Sequence, residues 1–518
     1  MKRKMQKNKM RAGKVRLKGK TGNGISENLR RLVGVAQMAG KVRYPKNAPF
    51  GPPKKYPELE GKFAIDKTNK VYPLVRDLFR EMGLDGENYG KKSWNPLREL
   101  ISLGDKVVIK PNWVLDKSDH SLDALITHTS LIRSVIDYAW IACRPSGRID
   151  LIESPIQSTD WENLMKVTQA REMVSALNDE GVNIQIQDIR TESFIEKEFL
   201  NLLGWKLKVF YRKKLPGTEK GYTQVNLGPE SLFHEVRGKA RRFRGIQQWT
   251  ASEATKAHDE KKHIYSVPNE ILEADVFINL PKLKTHRKAG VTLALKNIVG
   301  AVNNKDWLPH YIKGTPEKGG DEAPSERSFH IKLIDALSIV PLSKAFGFSI
   351  RPPGIENMWR KKIESDLYGL KNVRQANWYG GGTVWRMVYD LNKILIHADK
   401  KGKLKQRPQR KYFALVDGIV SGEGFGPLNS IPKKTGVIIG GFDPLLVDFV
   451  CTRLMGFDEY KIKTLSNAGN QGKYSFGGSD LGKVDLKSKS KRWKQLLESP
   501  KNAFRFKPAP GWKGHIEK

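Results

Sequence analysis

The feature that most constrains this chain is an alternation of short apolar segments with longer segments of helical period. Residues 105–110 (DKVVIK), 148–153 (RIDLIE) and 182–189 (VNIQIQDI) have the length and composition of strands. Residues 130–143 and 159–180, which separate these segments, carry apolar side chains at helical spacing. Strands that alternate with helices of this length indicate crossover connections and a mostly parallel sheet.

The alternation weakens in a Lys- and Arg-rich stretch at about 195–260, which we interpret as an insertion, and then resumes. Further strands are predicted at 276–280, 412–417 and 435–440. Further helices are predicted near 328–340, at 383–398 and at 444–456, with a polar irregular stretch at 350–376. The predicted fold class is therefore α/β, with a mostly parallel, doubly wound sheet, helical insertions and basic disordered termini.

These strands are short and apolar, and none of them could bury both of its faces alone. We therefore predict that they join into one α/β body built from distant parts of the chain. The predicted divisions are a basic disordered arm at 1–45, a first α/β part at 60–345, an insertion and helix at 346–410, a completing part at 411–480 and a basic tail at 481–518.

The formal net charge is +37, and it is spread over both ends and the middle of the chain. The first twenty residues hold ten Lys or Arg and no acidic residue. Basic tails of this kind are solvated segments that could contact nucleic acid, an anionic polymer or a membrane surface. Because the central part is basic as well, we expect an anionic partner for the folded body.

Cysteine usage and hydropathy indicate which cellular compartment suits this chain. The chain has two Cys, which lie in apolar helical patterns, and this usage fits the reducing cytoplasm. Two Cys cannot supply the four ligands of an iron–sulfur cluster, so no intrinsic cluster is expected. No stretch has the roughly 18 uncharged apolar residues of a membrane span, so no transmembrane segment is predicted.

Polar side chains follow several of the predicted strands at the point where each strand ends. Lys110 and Asn112 end the first strand, Glu153 ends the second, and Asp417 ends the strand at 412–417; His128 precedes the first helix. In open α/β sheets, ligands bind outside the carboxyl ends of the strands. We therefore expect these residues to converge on one cleft, although a solvated loop is the alternative for each of them singly.

The segment 278–300 (INLPKLKTHRKAGVTLALKNIVG) places several cations directly after a strand. Pro281 cannot donate to a strand ladder and stops the strand. Lys282, Lys284 and His286 then alternate along an extended segment, which puts them on one side. Lys ammonium groups suit phosphate or carboxylate oxygens, and His can change protonation near neutral pH. The segment predicts an anion pocket; the alternative is a basic surface loop.

Lys296 and Asn297 lie among apolar residues of the same segment. A buried Lys without a partner is costly, so Lys296 is expected either to reach solvent or to meet a carboxylate or ligand. Asp448 likewise lies among apolar residues, and Lys296 or Lys110 would be suitable partners for it.

Two further acidic residues are of interest near the end of the chain. Glu423 lies in the glycine-rich stretch SGEGFGP (421–427), close to Asp417; this stretch does not open a helix and so is not a dinucleotide fingerprint. Asp443 precedes Pro444 and is predicted to cap a helix. Carboxylates beside His128 and His286 leave a divalent metal open, but no short-range ligand spacing supports one.

The chain resembles the domain of unknown function 362 family over most of residues 105–470. The resemblance rests on the stretches VVIKPNW (107–113), ITHTSLIRSVID (126–137), DLIESP (150–155), INLPKLKTHRKAGVTLALKNIVG (278–300), LVDGIVSGEGFGP (415–427) and GGFDPLLVDFVCTRLMGFD (440–458). NWYGGGTVWRMVYDLNKIL (377–395) is similar to a longer bacterial and archaeal branch. The resemblance implies an α/β domain but no reaction, and this chain lacks the ferredoxin-like cysteine module of some members.

The resemblance also implies that the following residues occupy family motif positions: Lys110, His128, Glu153, Lys282, Lys284, His286, Lys296, Asn297, Asp417, Glu423, Asp443 and Asp448. We predict His286, Glu153 and His128 as catalytic residues. Anion binding is predicted for Lys110, Asn112, Lys282, Lys284, Lys296 and Asn297, and the positioning of a cation or hydroxyl for Asp417, Glu423 and Asp448.

The function favoured by these residues is that of a cytoplasmic enzyme acting on an anionic small-molecule or lipid-linked substrate, with the reaction and any cofactor unassigned. The alternatives are a nucleic-acid-binding protein, or a tethered accessory protein in an envelope-polymer pathway.

Overall fold

The computed structural model describes residues 25–61, 63–202, 205–246, 251–325, 348–351 and 373–518. Its strands, in chain order, are β1 (Leu32–Gln37), β2 (Lys106–Pro111), β3 (Arg148–Glu153), β4 (Ile184–Asp188), β5 (Glu192–Leu202), β6 (Trp205–Lys214), β7 (Tyr222–Asn226), β8 (Phe243–Arg244), β9 (Ile264–Pro268), β10 (Val276–Leu280), β11 (Lys282–His286), β12 (Gly290–Val291), β13 (Tyr311–Ile312), β14 (Phe348–Arg351), β15 (Lys411–Glu423), β16 (Ile431–Gly441) and β17 (Asp485–Lys487).

The α-helices of the described residues fall into a longer and a shorter group. The longer ones are Val71–Glu81, Thr129–Cys143, Trp161–Thr168, Ala170–Asp179, Val384–His397 and Pro444–Met455. The shorter ones are Glu27–Arg31, Ala254–Ala257, Asn269–Glu273, Ala294–Asn297, Lys463–Ser466 and Lys491–Lys494. None of these helices combines the length and the apolar composition that a membrane crossing requires.

A central sheet runs in the order β17-β1-β16-β15-β10-β2-β3-β4. The five strands from β15 to β4 are mutually parallel, and β16 is antiparallel to both of its neighbours, β15 and β1. The predicted α/β class with a mostly parallel sheet is confirmed. The sheet joins strands from the beginning, middle and end of the chain, while the domain boundaries given above stay predictions.

The sheet is covered on both faces because successive side chains of a strand point to opposite sides. In β2, Val108 belongs to one apolar cluster, while Val107 and Ile109 belong to the other. The cluster of Val108 contains the apolar side chains of helices Val384–His397 and Pro444–Met455. The opposite cluster contains those of helices Val71–Glu81 and Thr129–Cys143. The apolar runs of the central strands are thus buried from both sides, as parallel sheets require.

Most predicted elements lie close to their observed bounds, with some differences of length. The strand predicted at 412–417 is longer, since β15 continues to Glu423. The single helix predicted at 159–180 is wrong: Gln169 has φ +52°, and this left-handed residue separates two helices. The predicted helix near 328–340 and most of the irregular stretch at 350–376 lie outside the described residues.

The predicted disordered arm at 1–45 is wrong for residues 27–37. Residues 27–31 form a helix and β1 follows directly, with Val33 and Val35 fully buried between β16 and β17. The apolar segment LVGVAQ that forms this strand is short and follows a basic stretch, so the sequence does not distinguish it from the arm. Residues 1–24 lie outside the described part of the chain.

The predicted disordered tail at 481–518 is also wrong. β17 adds to the sheet beside β1, and Trp493, Phe506 and Trp512 are buried against the body. Aromatic side chains bury a large apolar area each. A few of them therefore suffice to order a segment whose overall composition is basic.

Candidate functional site

A cavity of about 90 Å³ lies at the carboxyl ends of β2 and β3. Lys110 at the end of β2 and Glu153 at the end of β3 form part of its wall, as does β11. The ionisable residues that line it are Lys110, Glu153, Lys284, His286, Arg287, Lys288, Lys296, Lys305 and His310. The cavity therefore occupies the edge of the sheet where the sequence predicted a ligand site.

The path of the chain around Pro281 places β11 beside this cavity. β10 pairs with β2 on one side and β15 on the other, but after Pro281 the chain continues as β11, which pairs with β15 and not with β2. The pairing register shifts between Lys282 and Lys284, which face Asp417 and Gly422 of β15. Because of this irregularity Lys284 and His286 line the cavity, whereas Lys282 does not.

Lys110 and Glu153 form a buried ion pair at the floor of the cavity. Lys110 Nζ lies 2.9 Å from Glu153 Oε1 and 3.0 Å from Oε2. The same two oxygens accept backbone N–H bonds from Ser154 (2.9 Å) and Trp113 (2.8 Å). A Cβ at Gly300 would lie 2.4 Å from Glu153 Oε1, so only glycine allows this approach. The carboxylate is fully engaged, which fits a role in holding Lys110.

Two asparagine side chains connect the ion pair to the body of the sheet. Asn112 Nδ2 donates to Asn297 Oδ1 at 2.7 Å, and Asn297 Nδ2 donates to Asn279 Oδ1 at 2.7 Å and to the Pro111 carbonyl at 3.1 Å. Asn112 and Asn297 both line the cavity. Since these amides are fixed by buried neighbours, their orientation in the wall is defined.

Positive charge in the cavity exceeds negative charge. Six cationic side chains line it, while Glu153 is the one carboxylate among its described lining residues. Lys284 Nζ donates to the carbonyls of Leu125 and Pro427, and Lys305 Nζ donates to the Val299 carbonyl at 3.3 Å. These carbonyls carry no charge, so they satisfy hydrogen bonds without neutralising the lysines.

Burial lowers the pKa of the cavity lysines. Desolvation, with a further contribution from the positive charge of Lys110, lowers the pKa of Lys296 to about 8. Desolvation is also the main cause that lowers the pKa of Lys305 to about 7, although Glu153 opposes it. The pKa of Lys284 lies well below its usual value, because of burial first and the neighbouring lysines second. A negatively charged ligand would reverse these shifts.

Two imidazoles in the cavity have complementary hydrogen bonding. Burial and the nearby cations lower the pKa of both His286 and His310 well below the usual value, so both are neutral near pH 7. His286 Nδ1 accepts from the Lys288 backbone N–H at 3.0 Å, which places the ring proton on Nε2. His310 Nδ1 lies 2.9 Å from the Leu308 carbonyl and must donate, which leaves Nε2 as an acceptor.

Several buried polar atoms of the cavity wall have no hydrogen-bond partner within the described residues. They are Asn112 Oδ1, Ser154 Oγ, Gln157 Oε1 and Thr292 Oγ1. Buried polar groups are nearly always satisfied in native proteins. These four atoms are available to form hydrogen bonds with a molecule that enters the cavity.

A second cluster of predicted residues is closed and separate from the cavity wall. Lys282 Nζ contacts Asp417 Oδ2 at 3.0 Å and Tyr44 Oη at 2.8 Å. Asp417 also accepts the His128 backbone N–H at 3.0 Å, and the His128 ring stacks on Tyr44 with centroids 4.1 Å apart. Burial lowers the pKa of His128 to about 3. This arrangement ties β11, β15 and the start of helix Thr129–Cys143 together.

Asp448 and Glu423 lie outside both the cavity wall and the Lys282–Asp417 cluster. Asp448 accepts the backbone N–H groups of Ala294 (2.7 Å) and Leu295 (3.1 Å), so the expected pairing with Lys296 or Lys110 is wrong. Burial raises the pKa of Asp448 well above its usual value, and these two backbone donors partly oppose that shift. Glu423 pairs with Lys433 at 3.0 Å.

Asp443 caps helix Pro444–Met455 through the N–H groups of Leu445 and Leu446, as predicted. No group of three or more His, Cys, Asp or Glu among the described residues has an arrangement that could hold a metal ion.

The structure brings seven of the twelve named site residues to the cavity: Lys110, Asn112, Glu153, Lys284, His286, Lys296 and Asn297. Sequence reasoning did not assign Arg287 or Lys288, although both belong to the basic run after Pro281. It missed Lys305 and His310, which lie in an irregular loop that neither a strand nor a helical period locates.

Comparison with known proteins gives a family and one relative. Residues 226–453 match the model of a family described as "Domain of unknown function (DUF362)", which confirms the resemblance stated from the sequence over these residues. A thylakoid-associated protein of Synechocystis sp. is 22% identical over 224 residues, which are 43% of this chain and 44% of that protein. The chain thus spans less than half the length of this relative. Lys284, His286, Lys296, Lys305 and His310 all lie within the family match.

Proposed function

We propose that the cavity binds a small molecule bearing phosphate or carboxylate and that the protein is an enzyme acting on it. The proposal starts from the match of residues 226–453 to the model of the domain of unknown function 362 family. The observation that carries the proposal is the charge of the cavity. Six cationic side chains surround one carboxylate, and that carboxylate is already engaged by Lys110 and two backbone N–H groups.

The energetics of this arrangement favour an anionic ligand. Burying like charges together is unfavourable unless a counter-charge is present. The lowered pKa values of Lys296 and Lys305 reflect this cost in the free protein. An anion in the cavity would favour the charged form of each lysine, and the resulting charge-assisted hydrogen bonds are the stronger kind.

The roles divide between anchoring, orientation and proton transfer. Lys284, Lys288 and Lys305 would bind the anionic group, because each is buried and hydrogen-bonded only to uncharged carbonyls within the described residues. Glu153 would hold Lys110 in place rather than transfer protons.

His286 and His310 would serve as the proton donor and the proton acceptor, since their neutral tautomers present opposite functions at Nε2. Such a pair suits proton transfer at a carbon or oxygen next to the bound anionic group.

Isothermal titration calorimetry with inorganic phosphate and with oxalate tests the binding. Lys305→Met should weaken binding of the better probe by about tenfold or more, because one charged contact is worth on the order of 1.5–3 kcal/mol. Lys393→Met is a matched control: Lys393 is buried and donates to the Glu230 carbonyl at 2.9 Å, but does not line the cavity.

These measurements distinguish anion binding in the cavity from anion binding elsewhere on the protein. An anion bound by the basic ends of the chain would be insensitive to Lys305→Met. Equal affinity of wild type and Lys305→Met, or equal weakening by Lys393→Met, contradicts the proposal.

A further inference from the structure

The lysines of the cavity differ in one respect that concerns reactivity. Lys110 is paired with Glu153, and Lys284, Lys288 and Lys305 each donate to backbone carbonyls. The side-chain amino group of Lys296 has neither an ion pair nor a hydrogen bond within the described residues, although Lys296 is only 9% exposed and lines the cavity. Its amino group therefore has no acceptor that favours the ammonium form.

The geometry points to Lys296 as a nucleophilic amine that forms an imine with a small carbonyl compound bearing a carboxylate or phosphate. The inference rests on the proposed function, because the anionic group of the substrate would be held by the other cavity cations. It goes further by naming the reacting atom, Lys296 Nζ, and the substrate class. A Lys that is desolvated and lies near another cation is the environment in which an amine becomes an effective nucleophile.

The surroundings of Lys296 support this assignment. Helix Ala294–Asn297, which carries it, is fixed because its first N–H groups donate to Asp448. The positive charge of Lys110 adds to burial in lowering the pKa of Lys296 to about 8. Near neutral pH the amine is therefore partly unprotonated, in contrast to a solvent-exposed Lys.

The other ionisable groups of the cavity do not stabilise an ammonium at Lys296. Burial lowers the pKa of Lys284, Lys288 and Lys305 as well, and Glu153 is engaged by Lys110. His286 and His310 are uncharged, since burial lowers the pKa of each. No carboxylate among the described lining residues is left to stabilise an ammonium at Lys296.

The proposed step balances as follows. The lone pair of Lys296 Nζ adds to the carbonyl carbon, and the carbonyl oxygen takes a proton to give a carbinolamine. The carbon–oxygen bond then breaks and water leaves, so that amine and carbonyl yield an imine and one water. The hydroxyls of Ser154 and Thr292, which have no hydrogen-bond partner in the described part of the chain, and the neutral imidazoles are the polar groups of the wall that could assist these proton transfers.

Reductive trapping with glyoxylate, a small aldehyde that carries a carboxylate, tests the inference. In the presence of cyanoborohydride, hydride transfer to the imine carbon converts the adduct to a stable carboxymethyl-lysine, which peptide mass spectrometry locates. We expect Lys296 to be modified at least about tenfold faster at pH 7.5 than the exposed Lys400, because the Lys296 amine is partly unprotonated and lies among cations that can hold the carboxylate of glyoxylate.

The pH profile adds a second readout. Labelling of Lys296 should rise with pH and level off above about pH 8, where its amine is fully unprotonated. Phosphate should slow the labelling of Lys296 and leave that of Lys400 unchanged.

Lys296→Arg separates the inference from the proposed function, because Arg keeps the charge but cannot form this imine. The variant should still bind phosphate in calorimetry and should lose the rapid labelling.

The inference is overturned, and the proposed function stands, if wild type binds phosphate but Lys296 is labelled no faster than Lys400. The same holds if the labelling is concentrated on Lys305. Absence of phosphate and oxalate binding to wild type, with Lys296 rapidly labelled, overturns the proposed function instead. If Lys296→Arg does not fold, phosphate protection of Lys296 in the wild type decides in its place.

Discussion

Lys282 Nζ lies 3.0 Å from Asp417 Oδ2, and neither side chain has any exposed surface. Tyr44 donates to the same carboxylate at 2.6 Å and accepts from Lys282, so three buried polar groups satisfy one another. This cluster joins β11, β15 and the segment before residue 50. Its function is expected to be structural, although Lys282 was predicted to lie in an open cleft.

Lys282→Met should therefore destabilise the protein. Breaking a buried ion pair leaves the partner charge uncompensated and costs about 3–5 kcal/mol in free energy of unfolding. Urea denaturation measures the loss, with Lys483→Met, in an exposed ion pair with Asp480, as the control that should stay close to wild type. The double variant Lys282→Met/Asp417→Leu should recover part of the stability. A Lys282→Met variant as stable as the control contradicts a structural role.

Gly300→Ala should disrupt the Lys110–Glu153 pair. The added Cβ would meet Glu153 Oε1 at 2.4 Å and Lys110 Nζ at 2.5 Å, and overpacking of this kind costs roughly 1–3 kcal/mol. We also expect weaker phosphate binding, since both residues line the cavity. The control is Gly469→Ala, where a Cβ would meet nothing within 4 Å. Equal stability of the two variants would show that the pair tolerates the methyl group.

Stability in buffers free of phosphate and sulfate should depend on the charge of Lys305. Its folded pKa is about 7 and its ordinary value is 10.5, so between these values the unfolded chain binds more protons than the folded one. The charged form thus lowers stability below pH 7, and this cost disappears as the pH rises toward 10.5. The free energy of unfolding of wild type, relative to Lys305→Met, should rise across this range. A constant difference between the two proteins would contradict the lowered pKa.

Anion affinity should change with pH in the opposite sense. Sulfate is a suitable probe because its charge is constant here. As the pH rises through about 7 and about 8, Lys305 and then Lys296 lose their protons, so sulfate affinity should fall across pH 6.5–9. In Lys305→Met the decrease near pH 7 should be absent while that near pH 8 remains. Affinity that is unchanged up to pH 9 would mean that ordinary surface lysines bind the anion.

Trp512→Ala should reduce stability although it lies in a basic terminal segment. Trp512 is 1% exposed, and its indole N–H donates to the Arg287 carbonyl at 2.7 Å, beside the cavity. Removal of a buried Trp side chain costs about 3–5 kcal/mol. Thermal unfolding measures the loss against Tyr460→Ala, whose side chain is 69% exposed. Phosphate affinity should weaken as well, since Arg287 lines the cavity.

The sequence predicted the layered architecture because the central strands are buried on both faces. A strand such as β10, with five buried residues, leaves a continuous apolar run that stands out from its surroundings. The same logic placed Lys110, Glu153 and Lys284 at one edge, because strand ends in a parallel sheet share an edge. It could not place β1, whose six residues follow a basic stretch and carry no flanking pattern.

The finer structure of the site depended on contacts between distant residues. Lys282 and Lys284 have the same local sequence pattern. Only the register shift against β15 distinguishes them: Lys282 pairs with Asp417, whereas Lys284 lines the cavity. Asp448 finds backbone N–H partners rather than a lysine because helix Ala294–Asn297 begins beside it. The sequence also gave no signal for Lys305 and His310, since loop residues have no periodicity from which a position can be inferred.

The place of β1 in the sheet has a consequence for how the protein is made. Val33 pairs with Gly441 of β16, and Leu32 pairs with Asp485 of β17. Since synthesis proceeds from the N-terminus, β1 leaves the ribosome long before either neighbour exists and must wait unpaired. Contacts of such large sequence separation also slow folding. This edge of the sheet can therefore close around β1 only after residues 431–487 have been synthesised.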